Sequence, residues 1–505
     1  MTVNMTETET RYEAPAGLVL PRLDELEQVD RAVVPEQDQL EAEYFDTGDL
    51  RLIRAGITLS RRRGGEDEGW HLKLPAGPDS RREVRLPLAH GTGRSVPAEL
   101  ARLVRAFSRG EPLRPVAQMT TRRQRVILLS KSGESLAEVG ADDVSARTMG
   151  DSTSVSRWQE VEVELTGGDR ALLTAADQVL RRDGLRTASH AAKLERAFGL
   201  DARPATCRLT PATPAVQVVQ AYLRAQADTL TALDPLVRRD EPDAVHKMRV
   251  TTRRLRSTLQ AFGKIIPRSR ADRLAGELKW LGGVLGEARD AQVLSGHLLD
   301  GLDQFPVEQV IGPVQARVQG HFAPLRAAAR TALLKALDSE RYVALLNDLD
   351  QFIDEPPPGP DASRPARDVL PAAVRRSYRR TARRMRRTRQ AGPGTPTDAG
   401  LHQARKAAKR ARYAGEAVTP ALGKKARRFT RQMKTVQSVL GDHQDTVIAR
   451  PVARELGIAA HLAGENAFSY GLLCERDAGL ARQLRAEARG TWKKASRARY
   501  RRWMR

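Results

Sequence analysis

The chain has 505 residues, with 85 Lys and Arg against 62 Asp and Glu, and two cysteines. That length allows about three domains with sizeable cores, and Cys207 and Cys474 stand far apart with no CxxC, which supports neither a disulfide framework nor a zinc site. The opening residues MTVNMTETETRYEAP have neither a basic stretch nor an apolar core, and no later apolar run approaches the roughly 20 residues of a membrane span, so we expect a soluble cytoplasmic protein.

Charge divides the chain. Residues 1–205 hold 30 Lys and Arg against 33 Asp and Glu, a net of −3, whereas residues 206–505 hold 55 against 29, a net of +26. The second part should attract polyanions.

The acidic part contains short alternating segments, ITLSRRR, WHLKL, REVRL, RRQRVIL and QEVEVEL, which predict strands. Alternation places Arg61 and Arg63 on one face, Lys73 beside His71, Glu83 with Arg85, Arg123 with Arg125, and Glu160, Glu162 and Glu164 in line. Two readings fit this pattern. One is an antiparallel sheet with a solvated face; the other is a closed barrel with its charges inward, where carboxylates could hold a divalent ion and Arg and Lys could bind phosphates. His71, His90 and His190 are not at metal-ligand spacing and read as structural or surface residues, and the chain has no Walker A loop, HExxH or GxSxG.

The stretch GLDARPATCRLTPATP, residues 199–214, separates this part from a helix-patterned one, and EPPPGPDASRP at 355–365 divides the latter in two. The two pieces are repeats: LKWLGGVLGEARDAQVL at 278–294 returns as MKTVQSVLGDHQDTVIA at 433–449, keeping Lys279/Lys434, Leu285/Leu440, Gly286/Gly441 and Asp290/Asp445. Each repeat also carries a basic ladder at offsets of 3, 7 and 10: His246, Arg249, Arg253 and Arg256, then His402, Arg405, Lys409 and Arg412. At about 100° per residue all four side chains of a ladder share a stripe about 80° wide. Met248, Leu255, Leu259 and Phe262 back the first, and Ala404, Ala408 and Ala411 the second. Like charges three or four residues apart repel, so each ladder is either a solvated face or half of an anion site, with Asp290 and Asp445 as internal partners. The basic runs RRSYRRTARRMRRTR at 375–389 and WKKASRARYRRWMR at 492–505 extend the positive surface. Aromatic residues are only 4% of the chain and are not interleaved with these runs, which disfavours single-stranded nucleic acid, and no duplex-reading motif is present. A phosphate polymer without bases needs only charge and forked donors, which arginine supplies.

The duplicated unit with a histidine opening each basic helix resembles the CHAD domain, the conserved-histidine α-helical domain, over about residues 212–505. The resemblance implies two four-helix repeats whose basic groove binds inorganic polyphosphate through His246, Arg249, Arg253, Arg256, His402, Arg405, Lys409 and Arg412. In the first part, ETETRY at 7–12 is similar to the ExExK signature of the CYTH, or triphosphate tunnel metalloenzyme, superfamily, and YFDTGDLRLIRAGITLSRRR, WHLKLP, RREVRL and WQEVEVEL follow its order across about residues 5–200. This resemblance implies an eight-stranded antiparallel tunnel that binds a triphosphate-bearing substrate with Mg²⁺ or Mn²⁺. Glu7, Glu9, Glu162 and Glu164 would then face the metal with Glu160 as a helper, Arg61, Arg63, Lys73, Arg85, Arg123 and Arg125 would hold the phosphate chain, and Lys193 would sit near the tunnel's end. The family's lysine position holds Arg11.

The expected fold is therefore α+β in two domains, an N-terminal antiparallel β-barrel tunnel with helices and a C-terminal all-α bundle of two tandem repeats. Expected bounds are 1–200 for the tunnel, 201–214 for a linker, 215–354 for the first repeat, 355–370 for a second linker and 371–505 for the second repeat. The expected function is polyphosphate binding joined to a metal-dependent triphosphatase that hydrolyses a phosphoanhydride. The alternatives are a non-catalytic polyphosphate-binding, granule-associated protein, favoured by Arg11, and a nucleic-acid-associated basic protein, which rests on charge alone.

Overall fold

The computed structural model describes residues 3–505 except 16, 36, 65–67, 78–79, 92–94, 151–152, 189, 191, 201–207 and 391–394, and describes the side chains of all of these but 3–7, 389–390 and 395–397. The chain forms two compact units, Met1–Thr206 and Cys207–Arg505. Cys207 and the start of the expected 201–214 linker lie outside the described residues.

Strands β1 (Val3–Ala14), β2 (Arg31–Val33), β3 (Asp38–Asp46), β4 (Thr58–Arg63), β5 (Gly69–Pro75), β6 (Ser80–Leu86), β7 (Arg114–Leu129), β8 (Ser135–Thr148), β9 (Val155–Leu165) and β10 (Arg186–Thr187) make one antiparallel sheet. Eight of them run β1-β6-β5-β4-β3-β7-β8-β9, and β9 pairs back onto β1, closing a barrel; β2 adds to β7 and β10 to β1 at the margins. Closure removes the exposed edges an open sheet would leave.

Register decides which side each residue faces, because side chains alternate along a strand and paired residues share a face. The apolar alternates point outward. Tyr12, Leu128, Val139, Val161 and Val163 pack with Leu172, Ala176 and Leu180 of α3 (Arg170–Arg182), a helix capped by the Asp169 carboxylate accepting from the Ala171 and Leu172 amides. Leu59, Trp70, Leu72 and Val84, with Leu52 of α1 (Arg51–Arg54), pack with Leu100 and Val104 of α2 (Ala98–Ser108). The charged alternates therefore line the inside. At one end the inner face turns apolar, where Tyr44, Met119, Val144, Ala146 and Trp158 pack with Leu194 and Ala197 of α4 (Lys193–Ala197).

The second unit is helical: α5 (Ala215–Arg238), α6 (Ala244–Ala261), α7 (Arg268–Leu302), α8 (Val314–Leu337), α9 (Glu340–Asp354), α10 (Ala366–Gln390), α11 (Thr395–Leu462) and α12 (Phe468–Ala495). Prolines 214, 267 and 313 stand immediately before α5, α7 and α8, where a missing amide hydrogen costs nothing. Gly423, with φ 64° and ψ −141°, breaks α11 into two helical segments. Two helices joined by a loop, α6 and α7, thus correspond to the two segments of α11, and Met248, Leu255, Leu259, Ala404, Ala408 and Ala411 are all buried behind the ladders.

The backbone of Gly423 lies in a region nearly restricted to glycine, so Gly423→Ala should destabilise the helical unit by about 1–3 kcal/mol. Gly283→Ala, inside α7 with open space at its Cβ position, should stabilise by about 0.5–1 kcal/mol. Calorimetric unfolding of the two variants should move in opposite directions.

Candidate active site and anion-binding groove

The barrel's inner face concentrates acids and bases that burial forces to neutralise one another. Asp142 on β8 and Glu160 and Glu162 on β9 each offer an oxygen within 4.8 Å of the others, and all three are buried. Lys193, opening α4, donates from Nζ to Asp142 Oδ2 and Glu162 Oε1, both at 2.7 Å, and lies 3.1 Å from Glu160 Oε1. Arg123 donates to both oxygens of Asp142, at 2.7 and 2.6 Å, and to Glu162 Oε2 at 2.5 Å. Arg11 reaches Glu9 Oε1 at 3.1 Å and Glu162 Oε1 at 3.0 Å, and Trp158 Nε1 donates to Glu160 Oε2 at 2.6 Å. Burial raises the Glu162 pKa, but Arg11, then Lys193 and Arg123, outweigh it and hold the carboxylate well below its ordinary range. Glu9 and Asp142 show the same contest with the same outcome, burial being overcome by Arg11 at Glu9 and by Lys193 and Arg123 at Asp142.

A second buried acid organises the opposite wall. Glu83, fully buried, accepts from Arg85 Nε at 2.5 Å and lies 2.8 Å from His71 Nδ1 and 3.9 Å from Lys73 Nζ. Arg125 meets Asp38 at 2.7 Å, and Arg81 Nε lies 3.9 Å from Glu9.

Several expected residues change place. Arg61 and Arg63 lie on the outer face: Arg61 is opposite Trp70 and Glu43 and sits 6.0 Å above the Trp70 ring, while Arg63 is opposite Glu41. Their neighbour Arg62, in register with Ala42 and Gly69, takes the inner side. Three consecutive arginines carry no period of their own; the outward Leu59 sets the phase. Lys73, Arg85, Arg123 and Arg125 do face inward. Glu164, opposite Glu9 and Glu138, is outside the three-acid group, and the side chain of Glu7 lies outside the described residues. Sequence reasoning missed Asp142, although buried Ala137 and Val139 phase β8 and put Asp142 inward. Of the two expectations for His71, structural or surface, its burial in the tunnel wall beside Glu83 fits the structural one.

The three-acid group suits a hard cation. Carboxylate oxygens are the donors preferred by Mg²⁺ and Mn²⁺, and Glu160 Oε1 is buried and accepts no hydrogen bond. The donor set fits a divalent ion and does not choose which.

In the helical unit the two ladders converge. Arg253 of α6 is held below the ordinary range of its guanidinium by burial first, and by the charges of Arg249 and Arg405. Lys409 of α11 is pushed down to about 6 by burial, then by Arg253, Arg405 and Arg249. Among the described residues, Arg253, Arg256, Arg405 and Lys409 have no hydrogen-bonded or ion-paired partner, and Nε of all three arginines is buried. The ladder ends are held: Arg249 donates to Asp290 at 2.7 Å, and Glu416 joins the helices, accepting from Arg254 at 3.0 Å and Arg412 at 2.7 Å. Each ladder's first arginine lies over a repeat glycine. A Cβ at Gly286 would stand 3.3 Å from Arg249 Nη2, and one at Gly441 3.5 Å from Arg405 Nε. His246 is exposed, and His402 Nδ1 lies 2.5 Å from Gln444 Oε1. Arg256 faces a different set. Arg410 is held below its ordinary range by burial, then by Arg380, Arg256 and Arg268, a grouping of four helices that no local pattern announced.

Residues 5–197 match the CYTH domain and residues 221–454 the CHAD domain. The chain belongs to the proteins that join a CYTH domain to a CHAD domain. It is 37% identical to the Mycobacterium tuberculosis proteins Rv2226 and MT2285, over 97% of this chain and 96% of each relative. Among solved structures it is similar to PptA from Streptomyces chartreusis, at 21% identity and a TM-score of 0.48 over 56% of this chain and 100% of that one. It is also similar to the CHAD domain from the plant Ricinus communis, at 24% identity and a TM-score of 0.45 over 57% of this chain and 96% of that one.

Because Glu83 is the anion on which His71, Lys73 and Arg85 all converge, Glu83→Gln should destabilise the barrel by about 3 kcal/mol. Denaturant unfolding of the barrel should show the loss, and wild-type stability in that variant would mean the three cations find other partners.

Proposed function

We propose that this protein binds inorganic polyphosphate on its helical unit and hydrolyses a phosphoanhydride of a triphosphate-bearing substrate in its barrel. The observation that carries the reading is the inner face of the closed barrel, where a three-acid group contacts Arg123, Arg11 and Lys193 and the same face carries Lys73 and Arg85 gathered on Glu83, with the apolar alternates turned outward. A bound Mg²⁺ or Mn²⁺ would offset charge on the phosphate oxygens and on the leaving group. Asp142, Glu160 and Glu162 would hold it. Lys73, Arg85, Arg123 and Arg125 would align the phosphate chain and neutralise the departing phosphate. Glu9, kept ionised by Arg11, would accept a hydrogen bond from the attacking water. Arg11 itself remains protonated, since burial would lower its pKa but Glu162 and Glu9 raise it above the ordinary value, so it can orient carboxylates and cannot take a proton.

That last point favours a second reading, capture without turnover. Phosphate release from tripolyphosphate with Mn²⁺ decides between them. Under the first reading wild type releases phosphate and a folded Glu160→Gln/Glu162→Gln variant loses at least about a hundredfold of that rate, the scale of removing one electrostatic element from a transition state. Absence of release by wild type, with binding intact, would leave capture.

For the groove, the unpartnered cations support a phosphate chain as the missing counter-charge. Arg253→Ala should weaken polyphosphate binding by roughly tenfold or more, about 1.5 kcal/mol for a charge-assisted hydrogen bond, and affinity should fall as salt rises. Lys409 adds a sign. Its bare pKa of about 6 lies below the ordinary lysine value, so near pH 8 it is neutral without ligand and regains a proton when an anion arrives. Binding should take up protons at pH 8, should weaken as pH rises from 6 to 8, and should lose this Lys409 contribution in Lys409→Arg. Calorimetry in buffers of different ionisation enthalpy measures the uptake, and its absence at pH 8 would place the chain elsewhere.

A further inference from the structure

The three-acid group in the barrel is already neutralised by the chain itself. Asp142, Glu160, Glu162 and Glu9, which shares Arg11 with Glu162, contribute four negative charges, and Lys193, Arg123 and Arg11 in direct contact, with Arg81 3.9 Å from Glu9, return four positive ones. A divalent ion added to this set would leave a buried excess of two positive charges, which burial makes costly. One of the three cations that contact the acid group has to withdraw for such an ion to bind.

Geometry singles out which. Arg123 and Arg11 come from β7 and β1, whose positions are fixed by pairing on both sides. Neither reaches Glu160. Lys193 touches one oxygen of each acid, at 2.7, 3.1 and 2.7 Å, so its ammonium occupies the point where the three donors converge. Its backbone need not move, since Leu194 and Ala197 anchor α4 in the apolar end of the barrel. A lysine head on a flexible four-carbon stem can leave while the helix stays.

We propose that Lys193 is an internal lock on the cation site: its ammonium holds the converging oxygens of Asp142, Glu160 and Glu162 and is displaced by the divalent ion, so the tunnel rests closed on its own counter-charge. This rests on the reading of the acid group as a cation site, and changes the role expected for Lys193 from phosphate contact at the tunnel's end to competitor for the ion. The apparent affinity for the ion is then reduced by the fraction of time the lock is open.

The test is Mn²⁺ binding by the full-length protein, without substrate, followed by calorimetry and by the Mn²⁺ spin signal. Lys193→Met removes the charge and keeps the stem, and should bind Mn²⁺ about tenfold more tightly or better, the gain expected if the lock is closed at least nine-tenths of the time. Lys193→Arg keeps the charge and should bind no more tightly than wild type, and Glu162→Gln should bind less. A second measurement uses unaltered protein, so that misfolding of a variant does not decide the matter: acylation of the Lys193 amine by a water-soluble reagent should be slow without metal and several times faster with saturating Mn²⁺, read by peptide mass. Equal or weaker Mn²⁺ binding by folded Lys193→Met, or acylation indifferent to Mn²⁺, would overturn the lock and leave the hydrolase reading intact. Failure of both wild type and Lys193→Met to bind Mn²⁺ at millimolar concentration would overturn both.

Discussion

Buried charge must be matched, and the two units meet that requirement in opposite ways. The barrel is built with apolar residues outside and ions inside, which is tolerable only because every described acid on its inner wall that pulls cations together finds them: Glu83 gathers His71, Lys73 and Arg85, and the Asp142, Glu160 and Glu162 group gathers Lys193, Arg123 and Arg11. The apolar exterior in turn requires its cover of helices, so the positions of α3 and α2 follow from the same inversion. Stability and site are one network here.

The helical unit leaves its debt open. Arg253, Arg405 and Lys409 are drawn together by packing behind them, with Met248, Leu255 and the alanines of α11 buried at their backs. Glu416, bonded to both Arg254 and Arg412, holds α6 and α11 against their mutual repulsion without reaching the central cations. A surface that keeps like charges close and withholds the counter-ion stores repulsion that a ligand can relieve. Barrel and groove thus differ in what they lack: one is complete without a ligand and must give something up, the other is incomplete.

Periodicity explains what was legible. Ladder offsets of 3, 7 and 10 and the paired Gly286/Gly441 motif are local signals, and they placed the buried residues behind the ladders and the duplication. Alternation likewise placed Lys73, Arg85, Arg123 and Glu162 on the charged side. It failed at Arg61 and Arg63, where three like residues in a row leave the phase to be set by Leu59 and by the pairing with Trp70. Adjacent Asp142 and Asp143 hid the inward acid in the same way. The grouping of Arg256, Arg268, Arg380 and Arg410 joins residues more than a hundred positions apart, and the convergence of Lys193 on three acids depends on how α4 enters the barrel end. Neither is written in any one window of the chain.

The glycines beneath Arg249 and Arg405 bear on how such a chain can change over generations. Each of the two repeats contributes one arginine resting over one glycine, yet the cations they support stand close enough to repel one another across α6 and α11. A side chain acquired at Gly286 would press on Arg249, and through its charge change the setting of Lys409 in the other repeat. Duplication ordinarily frees one copy to drift. Here the copies act on each other's charges, so the two halves inherit a common fate, and a lineage that altered one glycine would have to re-tune the opposite ladder.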